Sequence, residues 1–224
     1  VDHPSDMEVF PNERLMLFPP FPEFRIYGAR DMRPPVAAFD DEGNDILPLL
    51  LAKDGMYAEG FGYLPYEGFA EEHSIVLDLG DLSEVENILL LLNGWTHYIT
   101  SNGLYSASQD GVPPILPQLE VVDEDGAWIP ITMNMGFPAG QPKTMTYDLT
   151  GKFLTDDYKV RITTNLQTFW DQILVNTYAE NRALRITELE VSTADLHWKG
   201  YPVLLASTGD RKTKPAAYNY SVVE

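Results

Sequence analysis

The chain has 224 residues, no cysteine and a formal net charge of −19, from 34 acidic and 15 basic residues. This acidity disfavours binding to nucleic acids and to anionic membranes, because both attract basic surfaces. The absence of cysteine excludes disulfides, thiolate zinc sites and cysteine nucleophiles. The longest apolar run, residues 88–92, is far shorter than the roughly 20 residues of a transmembrane helix, so we expect no insertion into a membrane.

The first 72 residues are the least regular part of the sequence. Residues 1–35 are rich in proline and aromatic residues, which predicts an extended arm packed on the domain, with an edge strand at residues 24–27. An acidic loop at residues 40–45 precedes an apolar run, in which Pro48 favours the first turn of a short helix. The aromatic and glycine-rich residues 60–68 (GFGYLPYEG) predict an ordered loop.

From His73 onward the apolar residues alternate with a period of two, as in antiparallel strands with one buried face. The pattern predicts no helix of ten or more residues. Residues 123–126 (DEDG) predict a hairpin turn, and the run at 85–92 predicts a strand buried on both faces. The predicted strands lie at residues 74–79, 85–92, 118–122, 127–133, 144–149, 159–164, 169–175 and 184–191.

These elements predict an all-β fold, an antiparallel β-sandwich of the jelly-roll or galactose-binding-like type. The expected organisation is a proline-rich extension at residues 1–72 packed on the sandwich, the sandwich itself at 73–206, and an exposed C-terminal tail at 207–224.

The acidic loop is a candidate calcium site. Ca²⁺ binds carboxylate and amide oxygens, which Asp40, Asp41, Asn44 and Asp45 supply. Asp54 and Glu59 are further ligands only if the fold returns them to this loop. The spacing differs from that of an EF-hand, and an ordinary surface turn explains the same residues. The turn at 123–126 also suits a cation, although a hairpin needs the same residue types.

Aromatic residues beside polar ones at the end of a sandwich are typical of sugar recognition. Two segments have this character, residues 94–98 (GWTHY) and 163–172 (TTNLQTFWDQ). The candidate ligand-binding residues are Trp95, His97, Tyr98, Trp170 and Asp171. Alternatives remain for each segment. For the first segment, the alternative is that Trp95 packs in the core. The second segment is expected to form a bulge or tight corner, where Asn165, Gln167 and Gln172 are further candidates to line a site. The alternative there is that Asp171 is a buried carboxylate satisfied by Arg161 or by backbone amides.

Motifs for catalysis are absent from the sequence. The four histidines are far apart, and no nucleophile elbow, phosphate-binding loop or metalloprotease motif occurs. We therefore expect a protein that is not an enzyme. A glycoside hydrolase with a carboxylate pair stays open as an alternative, because 34 acidic residues always offer pairs.

Several phrases resemble a known family. They are HSIVLDLGD, LLLLNGWTHY, PQLEVVDEDGAW, GFPAGQPKTMTYDLTGKF, VRITTNLQTFWDQILV and ADLHWKGYP. Together they resemble the C-terminal β-rich region of bacterial proteins with FG-GAP or tetratricopeptide repeats, the CRTAC/ASPIC-UnbV-like group. The resemblance implies a segment of an exported, multi-domain protein, extracellular or periplasmic, and carries no catalytic residues. The fold also resembles, more loosely, galactose-binding-like carbohydrate-binding modules.

The sequence therefore predicts a non-catalytic binding module, with a glycan as the favoured ligand and Ca²⁺ as a candidate cofactor. The alternative is an assembly module, whose sheet edges and N-terminal arm contact a neighbouring protein domain or subunit.

Overall fold

A computed structural model describes residues 1–177, 184–205 and 217–223 of the chain. Its helices are a 3₁₀ helix, Leu47–Leu50, and one α-helix, α1 (Ser101–Gln109). Its strands are β1 (Glu8–Pro11), β2 (Ile26–Ala29), β3 (Ala37–Asp40), β4 (Phe69–Asp78), β5 (Leu89–Thr96), β6 (Gln118–Val122), β7 (Trp128–Thr132), β8 (Lys143–Asp148), β9 (Lys159–Leu166), β10 (Thr168–Asn176), β11 (Pro202–Leu205) and β12 (Ala217–Val223).

Two antiparallel sheets form the body of the molecule. One has five strands in the order β3-β4-β9-β6-β7, and the other has three in the order β10-β5-β8. Their facing side chains form one core, which includes Leu77, Leu119 and Val160 from the first sheet and Leu90, Met145 and Val175 from the second. The all-β sandwich is therefore confirmed, whereas its jelly-roll connectivity stays a prediction.

Strand β9 shows how the sequence pattern produces this core. Val160 and Ile162 are buried, while Lys159 and Arg161 alternate with them on the outer face. The period-two pattern of residues 159–164 thus predicted the correct inward face. The predicted hairpin is confirmed as well, because β6 and β7 pair across the turn at residues 123–126.

Strand β5 spans Leu89–Thr96 rather than the predicted residues 85–92, and it is buried on both faces, as the apolar run predicted. Leu90 and Leu92 face the core between the sheets. Leu89 and Leu91 face the other way, where Phe10 of β1 and a neighbouring alanine of β2 cover them. The hairpin of β1 and β2 therefore closes the outer face of the three-stranded sheet.

Residues 1–72 contribute to the sandwich directly. β3 and the first residues of β4 lie in this range, and both belong to the five-stranded sheet. The edge strand predicted at residues 24–27 occurs at Ile26–Ala29. The short helix predicted around Pro48 is the 3₁₀ helix, with proline in its first turn.

Three expectations differ from the structure. Helix α1 went unpredicted because it is short and mostly polar, and its buried residues are the small Gly103 and Ala107. The strand predicted at residues 184–191 is wrong, since only Arg185 makes a bridge, to Asp2. Part of the expected tail is regular structure, because β12 pairs with β11. Residues 207–216 and 224 of that tail lie outside the described residues.

Among the described residues, no helix is long and apolar enough to cross a membrane.

Candidate functional site

A row of six aromatic side chains lies at one end of the sandwich. We call it the aromatic row, and in spatial order it comprises His73, Phe61, Phe169, Trp95, His97 and Tyr98. The distances between successive ring centres are 4.3, 5.3, 5.4, 5.4 and 4.9 Å. Offset and edge-to-face contacts between rings contribute stabilisation in addition to that from the area they bury.

The pairing of β5 with β10 sets the position of this row. Trp95 lies opposite Phe169, and Thr96 lies opposite Thr168. The hydroxyl groups of the two threonines are 3.1 Å apart and buried, which joins the strands where both reach the end of the sheet.

Gln167 lies at the corner where the chain leaves β9 in one sheet and enters β10 in the other. Its carbonyl oxygen accepts a hydrogen bond from the His97 backbone N–H, at 2.9 Å. Its side-chain amide donates to the carbonyl oxygen of Phe69, at 2.8 Å. The corner therefore fixes the backbone beside the aromatic row, which agrees with the tight corner predicted for this segment.

A cleft of about 400 Å³ opens beside this corner. The loop at residues 63–68 forms most of it, and His97 and Gln167 complete it. The Tyr66 hydroxyl donates a hydrogen bond to the Asp110 carboxylate, just after α1. The full lining is Tyr63, Leu64, Pro65, Tyr66, Glu67, Gly68, His97 and Gln167.

Gly68 lets this loop lie directly against the segment that follows β5. Its φ is +85°, and a Cβ atom there would lie 2.8 Å from the carbonyl oxygen of Tyr98. Any other residue would both strain the backbone and push the two segments apart. The shape of the cleft therefore depends on glycine at this position.

The five predicted ligand-binding residues have different environments. Trp170 is 3% exposed and packs in the main core, and Trp95 is 7% exposed. The Trp95 indole N–H donates to the carbonyl oxygen of Gly140, at 3.1 Å. Trp95 thus packs inside the protein, as its alternative predicted. His97 lines the cleft, and Tyr98 is 65% exposed and stacks on His97.

Asp171 is a buried carboxylate that accepts backbone hydrogen bonds. Its Oδ1 accepts from the N–H groups of Gly55 and Asp54, at 3.0 and 3.3 Å. Burial raises the pKa of this carboxyl group above its ordinary value. Asp171 is the extra residue of a bulge between Trp170 and Gln172, which agrees with the predicted bulge, and it anchors the turn at residues 53–56.

The acidic loop lies on the other side of the aromatic row. Asp40 and Asp41 line a small cavity of about 30 Å³, and the fold does return Glu59 to it, together with His73. Burial lowers the pKa of His73, so this imidazole is neutral at pH 7.

Hydrogen bonds within the loop already engage the Asp40 carboxylate. It accepts from the backbone N–H groups of Glu42 and Asn44 and from the Asn44 side-chain amide, at 3.0, 2.8 and 2.9 Å. In the described part of the chain, no group of three or more His, Asp or Glu side chains is arranged to hold a metal ion. Calcium binding by Asp40, Asp41, Asn44 and Asp45 stays a prediction.

Sequence reasoning did not single out the tyrosines of the cleft. The run GFGYLPYEG was recognised as an ordered aromatic loop, but nothing in it indicated which side chains face a cleft. The partners of Tyr63 and Tyr66 there, His97 and Gln167, are distant in sequence. The pairing of β5 with β10 brings His97 beside Gln167. The pairing of Phe69 with Leu166, and the hydrogen bond that the Gln167 N–H donates to the Gly68 carbonyl oxygen at 2.9 Å, place the loop of the two tyrosines beside them.

A comparison with protein-family models finds no match, and a comparison with curated proteins finds no similar sequence. The resemblance to the CRTAC/ASPIC-UnbV-like group therefore stays a prediction.

Proposed function

We propose that this chain is a non-catalytic glycan-binding module and that the cleft lined by Tyr63, Tyr66 and His97 is its binding site. The observation that carries the proposal is the combination, in one cleft, of three aromatic or heteroaromatic rings with polar groups from Glu67 and Gln167.

Sugars present both an apolar C–H face and a rim of hydroxyl groups. Tyrosine and histidine rings suit the apolar face, and carboxylate and amide oxygens accept hydrogen bonds from the hydroxyl groups. The cleft, at about 400 Å³, is within the usual size range of small-ligand sites. The exposed Tyr98, stacked on His97 at its edge, extends the ring surface along a longer chain of sugars.

The carboxylate content of the cleft favours binding over hydrolysis. Glu67 is the one carboxylate among its lining residues, whereas glycoside hydrolysis ordinarily uses a pair. Asp171, the candidate with a raised pKa, is committed to the backbone of Gly55 and Asp54. The cleft lining therefore suits binding, whereas hydrolysis would require a second carboxylate.

The charge of the protein narrows the ligand class. A net charge of −19 repels polyanions, so neutral polysaccharides are the expected ligands and uronic-acid polymers are disfavoured. Such ligands fit the extracellular or periplasmic setting that the family resemblance implies, with the glycan outside the cell and neighbouring domains of the same protein as further partners.

Affinity electrophoresis against soluble neutral polysaccharides tests the proposal. We expect at least one β-glucan, xylan or galactan to retard the protein. The Tyr63→Ala/Tyr66→Ala variant should lose about thirtyfold in affinity, since each of the two rings contributes on the order of 1 kcal/mol. Tyr105→Ala is the matched control, because this tyrosine is exposed on α1 outside the cleft lining. No retardation by any polymer, or equal loss in the control, would reject the proposal.

A further inference from the structure

The loop that joins β1 to β2 carries an exposed apolar surface. We call residues 13–24 of this connection the phenylalanine loop. Phe18, Phe21 and Phe24 are 60, 63 and 69% exposed, and Leu15 and Leu17 are also exposed. Met133 adds to the same surface, because its neighbour Asn134 donates a hydrogen bond to the Phe18 carbonyl oxygen.

Hydrogen bonds hold the two ends of this loop together. The Asn12 N–H donates to the Arg25 carbonyl oxygen, and the Arg25 N–H donates to the Asn12 side-chain oxygen, each at 2.9 Å. The Asn12 side-chain amide donates to the Glu23 carbonyl oxygen at 2.7 Å. These bonds fix the loop at its base.

The loop is also held along its length. Leu15 and Phe137 exchange two backbone hydrogen bonds, at 3.0 and 3.1 Å. Pro19, Pro20 and Pro22 restrict the backbone between the three rings. The exposed rings are thus presented on an ordered segment, and ordering them on association costs less entropy than for a free tail.

The charge of the loop differs from that of the whole molecule. Together with its two flanking residues, the loop contains two glutamates, Glu13 and Glu23, and two arginines, Arg14 and Arg25. Residues 12–25 therefore have no net charge, in a chain of net charge −19. The acidic surfaces of two molecules repel each other on approach, whereas two copies of this uncharged segment do not.

We propose that the phenylalanine loop is the contact surface of a homodimer, in which the loops of two copies pack against each other around a two-fold axis. The surface is self-complementary, as a two-fold interface requires. Its exposed side chains amount to roughly 600 Å² per copy, so a symmetric contact buries about 1,200 Å² in total, the lower end of the range for specific interfaces.

The dimer has a characteristic dependence on salt. Burial of the rings stabilises it, whereas the repulsion between two chains of charge −19 opposes it. Salt screens this repulsion. Association is therefore stronger at high ionic strength, the opposite of a contact held by ion pairs.

Sedimentation velocity on the complete chain tests the proposal. At protein concentrations up to about 100 µM we expect a monomer–dimer equilibrium, because an interface of this size supports micromolar affinity. We expect the dissociation constant of the dimer to fall at least threefold when sodium chloride is raised from about 50 to about 500 mM. The variant Phe18→Ser/Phe21→Ser/Phe24→Ser should stay monomeric at both salt concentrations, with an unchanged melting temperature.

The matched control is Leu189→Ser/Leu196→Ser, which removes two side chains that are even more exposed but lie outside the loop. This control should dimerise like the parent chain. A monomeric parent at both salt concentrations overturns the proposal, and so does a dimer that the triple variant keeps. A parent that is monomeric but pellets with phosphatidylcholine vesicles assigns the loop to a lipid surface instead. None of these results depends on glycan binding.

Discussion

Arg161 on β9 and Glu120 on β6 form a two-pronged ion pair across the outer face of the five-stranded sheet. The guanidinium Nε and Nη2 donate to the two carboxylate oxygens, at 2.6 and 2.8 Å. Thr163 donates to the same carboxylate, and the Arg161 guanidinium lies 5.0 Å from the centre of the Trp128 ring. The pair therefore connects three adjacent strands.

We expect Glu120→Gln to lower the free energy of unfolding by about 2 kcal/mol, because Glu120 is buried and the substitution removes charged hydrogen bonds. Urea unfolding at pH 7 measures this change. Asp157→Asn is the control, because its ion pair with Lys159 is more exposed and such pairs contribute below about 1 kcal/mol. Equal effects of the two substitutions would contradict the special role of the pair.

The same pair predicts a dependence of stability on pH. The hydrogen bond from Arg161 holds the pKa of Glu120 below its ordinary value. The stabilisation is therefore fully present above the unfolded-chain value, near 4.3, and is lost as the pH falls below it. The difference in the free energy of unfolding between the parent and Glu120→Gln should become smaller as the pH falls from about 5 to about 3. A constant difference across this range would contradict the assignment.

The contribution of Asp171 to stability should depend on pH in the opposite direction. Burial raises its pKa, so the folded state favours the protonated form, and ionisation above the unfolded-chain value near 3.9 costs stability. Asp171→Asn removes this cost while keeping an acceptor for the Gly55 N–H. We expect its melting temperature at pH 7 to equal or exceed that of the parent.

Asp171→Ala is the informative partner of that variant. It leaves the Gly55 and Asp54 N–H groups without their acceptor, which should lower the free energy of unfolding by about 1–3 kcal/mol. If alanine and asparagine had the same effect, the carboxylate would not be anchoring the turn.

Gly94 is a position where any side chain collides with the backbone. A Cβ atom there would lie 2.4 Å from the Phe169 carbonyl oxygen and 2.8 Å from the Trp170 ring. We expect Gly94→Ala to lower the free energy of unfolding by about 3 kcal/mol. In contrast, a Cβ atom at Gly60 meets only the Asp40 side chain, at 3.8 Å, so Gly60→Ala should lie within about 1 kcal/mol of the parent in chemical denaturation.

Phe10 and Phe18 test the role of the N-terminal hairpin. Phe10 packs on Leu89 and Leu91, so Phe10→Ala should cost about 3–5 kcal/mol. Phe18 is exposed, and Phe18→Ala should change the stability of the monomer by less than about 0.5 kcal/mol. Thermal unfolding of dilute protein compares the two. A small effect at Phe10 would mean that the hairpin does not close the sheet.

Chelation tests the acidic loop. The calcium site predicted from the sequence requires a higher melting temperature in about 1 mM Ca²⁺ than in EDTA, and the loss of this difference in Asp41→Asn. Equal melting temperatures would contradict it and would agree with the hydrogen bonds from Glu42 and Asn44 that already engage the Asp40 carboxylate.

The local alternation of residues was enough to predict most of the sandwich. Residues 159–164 face correctly because the two-residue period of a strand is independent of its neighbours. Residues 184–191 show the limit of the same reasoning. Their pattern suits a strand, but a strand also needs a paired neighbour, and the described structure gives this segment only the bridge at Arg185.

The sequence by itself determined the fold class, the acidity and the presence of aromatic residues near polar ones. Only the tertiary structure decided which rings are exposed. Trp95 and Trp170 lie in the interior, whereas Tyr63 and Tyr66 line the cleft. The physical reason is that burial depends on the pairing of β5 with β10 and on the corner at Gln167, which join residues distant along the chain. The pattern within each segment does not contain that information.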